Sequence, residues 1–139
     1  MIIAIDPGKK TGIAIIDSEF NMSLQTTDFW GAIDIIEDNP KAFFIVELPE
    51  TKHVWHIGAK SRNAISRTGV NVGSCIREAE LIIKYLARRE FEYVINRPLG
   101  KTDKNVFARI TGYQLETNPH ERDAGMLAWS YREFVSNGL

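Results

Sequence analysis

The 139-residue sequence predicts a mixed α/β domain with strands and helices in the order β-β-β-α-β-α-β-α-α. Three observations carry that prediction. Short, isoleucine-rich apolar runs of strand length fill the first third of the chain. Apolar residues at three- and four-residue steps recur from position 76 onward. Finally, 139 residues is one core's worth of chain, so a single domain over 1–139 is expected.

Taken in order, Met1 to Ile5 is apolar and is broken by Asp6-Pro7-Gly8, and Gly12 to Asp17 resumes the β-branched run. These read as two antiparallel strands joined by a turn. A third strand is expected at Met22 to Asp28, after turn residues Ser18 and Asn21. Trp30, Ile33, Ile35 and Ile36 recur at helical spacing until Asn39-Pro40 stops them, and Lys41 to Val46 then forms a continuous apolar run suited to a strand buried on both faces. Glu47 stands at its end.

Pro49 to Val72 has no sustained period and reads mostly as a long loop, of the kind that is usually functional or mobile. A helix is expected over Arg77 to Arg89. Its stripe comprises Ile76, Ala79, Ile83 and Leu86, and Glu80 and Lys84 lie four apart on the exposed side. Phe91 to Ile95 is a short strand. Thr102-Asp103 caps a helix carrying Val106, Phe107 and Ile110, which Gly112 stops. Asn118-Pro119 opens a last helix whose stripe, Ala124, Leu127, Ala128, Tyr131 and Phe134, continues to the C-terminus.

Composition excludes several classes. With 44% hydrophobic and 25% charged residues the chain resembles an ordinary soluble domain. It contains no apolar run near the roughly 20 residues that span a bilayer, and the acid at position 6 excludes a signal peptide, so no membrane association and a cytoplasmic location are expected. One cysteine, Cys75, excludes an internal disulfide and reads as a packed thiol. The net charge of -1 hides a segregation: Thr11 to Pro40 holds six acids and no Lys or Arg, whereas Thr51 to Arg77 holds five Lys or Arg and no acid.

Chemistry concentrates at three places. Asp6 ends an apolar strand at a sharp turn, where Asp-Pro-Gly is equally a plain turn signal. Glu47 is a second acid directly after an apolar strand. Buried acids without partners are costly, so two at strand ends invite a cation. On the last helix, His120 and Asp123 lie about 60° apart on one face while Glu121 points away into solvent. N-terminal capping and dipole compensation would also account for an acid there. They leave Gly125 unexplained, since glycine costs about 1 kcal/mol in a helix unless something approaches closely. Three carboxylates with one imidazole are ligands for Mg²⁺ or Mn²⁺. Two such ions about 4 Å apart serve phosphodiester hydrolysis. Lys52, Lys60, Arg62 and Arg67, interleaved with His53, Trp55 and His56, read either as a solvated face or as phosphate contacts with a stacking ring. Lys101, Lys104 and Arg109 form a second cationic set.

The stretches IIAIDPGKKTGIAIID (2–17), FFIVELP (43–49), RTGVNVGSCIREAELI (67–82) and NPHERDAGMLAW (118–129) resemble the RuvC-type Holliday junction resolvases, especially their short phage-borne relatives. The resemblance implies a ribonuclease H-like fold, a mixed five-stranded sheet with its first three strands antiparallel and helices on its flanks. It further implies that Asp6, Glu47 and Asp123 are metal-binding carboxylates and that His120 takes the fourth position, often Asp in the family. Lys104 would be the basic residue that contacts the cleaved strand. The implied activity is metal-dependent nicking of four-way DNA junctions by a homodimer in a bacterial or phage-infected cell. In that reading Arg62, Arg67, Lys101 and Lys104, with Lys52, position phosphates. Two other classes are distinguishable. A non-catalytic nucleic-acid-binding module of the same fold would bind junctions without cleaving them, and an actin-like phosphotransfer domain would hydrolyse ATP, although the chain is short for two lobes.

Overall fold

The computed structural model describes residues 1–49 and 62–136, with side chains except at 62–74 and Ser136. The N-terminal apolar runs form strands β1 (Ile2–Asp6) and β2 (Thr11–Ile16), followed by β3 (Met22–Thr27). The turn between the first two is closed by the buried Thr11, whose hydroxyl donates to the Gly8 carbonyl at 3.3 Å. Helix α1 (Phe29–Asp38) begins at Asp28, whose side chain accepts from the Gly31 N–H. Strand β4 (Phe43–Glu47) returns through the middle of the molecule, and α2 (Arg62–Arg88) leads to β5 (Tyr93–Asn96). Helices α3 (Lys104–Thr111), α4 (Pro119–Ser130) and α5 (Glu133–Ser136) complete the chain.

The sheet is mixed, in the order β3-β2-β1-β4-β5. β1–β2 and β2–β3 pair antiparallel, whereas β1–β4 and β4–β5 pair parallel. The chain is therefore α/β with a five-stranded mixed sheet flanked by helices. Side chains alternate across the two central strands. Ile3, Ile5, Phe44 and Val46 enter one core layer with Ala32 and Ile36 of α1 and Ala79, Ile82 and Leu86 of α2. Ile2, Ala4 and Ile45 enter the other, with Ala124, Leu127 and Ala128 of α4. Both faces are covered, which is why β4 reads as an unbroken apolar run. Burial of each isoleucine, leucine, valine and phenylalanine among them contributes about 1.5–3 kcal/mol.

Several sequence expectations require correction. Arg62 to Ile76 is helical, so Arg62 and Arg67 belong to α2 and not to a loop. TGVNVGS at 68–74 is poor in helix formers, but a helix already nucleated by its C-terminal half extends at about one hydrogen bond per residue, without a second nucleation cost. On α2 it is Ile82, not Ile83, that is fully buried. Trp30 is 71% exposed and Phe29 packs inward instead. Ile110 is also exposed, leaving Phe107 as the buried residue of α3. The last helix stops at Ser130, and Phe134 lies on α5, stacked on Phe43 at 5.4 Å.

Candidate metal and phosphate site

Strand register builds the first half of the site. β1 and β4 run parallel with Ile2 opposite Phe43 and Ala4 opposite Ile45. One step further in the same alternation, on the face covered by α4, the next two residues are Asp6 and Glu47. The carboxylates thus replace the apolar side chains where the two rows leave the core, at the carboxyl ends of parallel strands, a common position for ligand sites in α/β sheets.

Helix α4 supplies the other half. Asn118 caps it, accepting from the Glu121 N–H at 2.8 Å, while Glu121 Oε1 accepts from the Asn118 N–H at 3.0 Å. Glu121 is therefore a capping residue, partly buried, and not the solvated acid expected from the helical wheel. Because Asn118 and Glu121 do the capping, Asp123 is available for another role. Its side chain is only 12% exposed and takes Lys101 Nζ at 2.5 Å. One turn earlier, His120 Nδ1 stands 3.8 Å from Asp6 Oδ2.

Two glycines set how closely α4 seats. A Cβ at Gly12 would overlap the His120 carbonyl, so the N-terminus of α4 rests directly on β2, beside the Asp6–Gly12 pair. A Cβ at Gly125 would come within 2.6 Å of the Phe107 ring. The close approach inferred for Gly125 is therefore chiefly to α3.

The electrostatics follow from this crowding. Burial raises the Asp6 carboxyl above its ordinary value, and the Asp123 charge adds to that while the hydrogen bond with Glu47 opposes it. Glu47 is pushed up to about 9, by burial first, then by its hydrogen bond to Asp6 and the charges of Asp6 and Asp123. At neutral pH, with no cation bound, the Asp6–Glu47 pair accordingly retains a proton between its two carboxyls. The Glu47 Oε2 is buried and has no hydrogen-bond partner. Asp123 raises the Lys101 ammonium above its usual range, with smaller contributions from Asp6 and Glu47.

These groups line a cleft of about 870 Å³. The structure brings Asp6, Glu47, His120, Asp123 and Lys101 together there. Lys104 is elsewhere: it pairs with Glu116 beside a separate small hollow. Arg62 and Arg67 are placed on α2 by backbone only, and Lys52, His53, Trp55, His56 and Lys60 lie outside the described residues. Sequence reasoning missed four cleft residues. Lys9 and Lys10 follow the Asp6 turn directly, a proximity visible in the sequence. Cys75 and Glu78 sit three apart on α2, a relation that a helix beginning at Arg77 conceals. Cys75 is only partly buried, so it is a cleft residue and not simply a packed thiol; burial and nearby acids raise its thiol. Glu78 is raised by burial and accepts the Gly8 N–H, with its Oε2 buried and unpartnered.

Among the described residues, no group of three or more His, Cys, Asp or Glu side chains stands in the arrangement of a formed metal site. Glu47 is turned to Asp6, and Asp123 to Lys101. The donor chemistry nevertheless suits a hard divalent cation, since three carboxylates and an imidazole converge and a buried carboxylate oxygen lacks a partner. No family model, curated protein or solved structure matches the chain. Among the described residues, no helix is long and apolar enough to cross a membrane.

Proposed function

We propose that the chain is a ribonuclease H-like, RuvC-type endonuclease that hydrolyses phosphodiester bonds in branched DNA, Holliday junctions above all, with Mg²⁺ or Mn²⁺. The observation that supports this reading is the convergence of Asp6, Glu47 and Asp123 from three separate elements, with a buried, unpartnered oxygen on Glu47. Asp6, Glu47 and Asp123 would hold two ions, with His120 beside Asp6 as a further ligand or as the group that orders a water. Bound divalent ions supply charge neutralisation at the phosphodiester and an acidified water.

Lys9, Lys10 and Lys101, which line the same cleft, would bind backbone phosphates on either side of the scissile bond. Lys52, Arg62, Arg67 and Lys104 are candidate contacts to phosphates beyond the cleft. A four-way junction offers two equivalent strands, which a symmetric homodimer matches with one cleft each.

The test is a cleavage panel of labelled four-way junction, fork, flap, linear duplex and RNA:DNA hybrid, each with Mg²⁺ and with Mn²⁺. Paired symmetric nicks in the junction alone are expected. Tight junction binding with no cleavage under either metal would replace this reading with a non-catalytic binding module.

A further inference from the structure

The carboxylate cleft already contains a cation of its own. Lys101 Nζ contacts Asp123 Oδ2 at 2.5 Å, and its charge also acts on Asp6 and Glu47. The base of this side chain is anchored. The carbonyl of neighbouring Thr102 accepts Arg122 Nε of α4 at 2.9 Å, and Asp103 caps α3 one residue later. The remainder faces solvent. The Lys101 side chain is 82% exposed, and Gly100 beside it has open space where a Cβ would stand.

Lys101 reaches Asp123 from the solvent side with its own side chain mostly exposed, so a cation that binds the same carboxylate more strongly competes with it directly. A divalent ion is such a cation for a largely buried carboxylate. The Lys104–Glu116 pair offers a contrast, because its acid is 87% exposed and outside the cleft, and breaking it would uncover no ligand.

On the cation-site reading above, we propose that Lys101 is an exchangeable counter-ion of the cleft: it occupies Asp123 in the metal-free chain, a divalent cation displaces it, and the released ammonium binds a phosphate of the nucleic acid. Metal and nucleic acid then load cooperatively. A phosphate that draws Lys101 away opens Asp123 to the ion, and by linkage the ion strengthens the phosphate contact equally.

The experiment measures Mn²⁺ binding to the full chain by calorimetry, without nucleic acid, for the unmodified protein, Lys101→Met, Lys101→Arg and Asp123→Asn. Lys101→Met should bind Mn²⁺ about three- to fivefold more tightly, as expected for removal of a competing, solvent-facing ammonium, and Lys101→Arg should stay within about twofold. A second measurement compares junction affinity in Ca²⁺ and in EDTA. Lys101→Met should lose about threefold in Ca²⁺ and almost nothing in EDTA, where Asp123 holds the lysine. Unchanged or weaker Mn²⁺ binding by Lys101→Met, while Asp123→Asn still weakens it, would overturn the exchange and leave the cation site standing. An equal loss of junction affinity in Ca²⁺ and EDTA would also overturn it. Mn²⁺ binding insensitive to Asp123→Asn, or no binding at all, would overturn the cation site as well.

Discussion

Among the described residues, the two faces of the central strands part company at their carboxyl ends. On the face covered by α1 and α2, the rows Ile3–Ile5 and Phe44–Val46 stay apolar to the end of the sheet. On the face covered by α4, the rows beginning Ile2–Ala4 and Phe43–Ile45 end in Asp6 and Glu47. Adjacent residues on one strand therefore serve opposite purposes. Ile5 and Val46 stabilise the fold, whereas Asp6 and Glu47 concentrate like charge that only a proton or a cation relieves.

Substitutions on the two faces should separate these purposes, and the largest effect is expected on activity. Asp6→Asn and Asp123→Asn should each lower junction cleavage by about three orders of magnitude or more, because on the proposed reading each removes a metal ligand. Junction binding, measured by gel shift, should change little. Next door, Ile5→Ala should cost about 2–5 kcal/mol in urea denaturation, the usual range for a buried aliphatic truncation. Asp6→Asn should leave the metal-free chain as stable as before or more so. Equal destabilisation by both would erase the distinction between the faces.

The pH dependence of stability tests the same contrast in the metal-free chain. Glu47 has an ordinary value of 4.5 and a folded value of about 9, so between these pH values the folded chain holds a proton that the unfolded chain has released. Stability should therefore fall as pH rises from about 5 to about 9. Glu47→Gln should flatten that slope, as read from denaturation midpoints across the window. The smallest expected effect concerns α4. Gly12→Ala forces a methyl group against the His120 carbonyl and should cost about 1–3 kcal/mol, with a loss of activity beyond the loss of stability as α4 shifts away from Asp6.

Much of this architecture was legible in the sequence. Continuous apolar, β-branched runs of strand length located β1, β2 and β4, and an acid at the end of two such runs marked the site. Helical geometry put His120 and Asp123 on one face, where the structure places both at the cleft. What the sequence concealed depended on long-range packing. The partner of Asp123 is Lys101, 22 residues away in the chain, and the contact depends on how α3 and α4 fold back on the sheet. The N-terminal half of α2 was hidden by Gly69, Gly73 and β-branched neighbours, whose weak local preference is overridden in the full-length helix. The helical wheel points Glu121 into solvent, but a first-turn side chain can reach back to the cap, and this one does.

On the proposed reading, the strand-end carboxylates and α4 form a divalent cation site at which branched DNA is cut. The most direct test is incubation of a strand-labelled four-way junction with the purified chain and Mn²⁺, in parallel with Asp6→Asn. Symmetric nicks are expected with the unmodified chain, none in EDTA and none with Asp6→Asn. Cleavage by Asp6→Asn at the unmodified rate would contradict that reading.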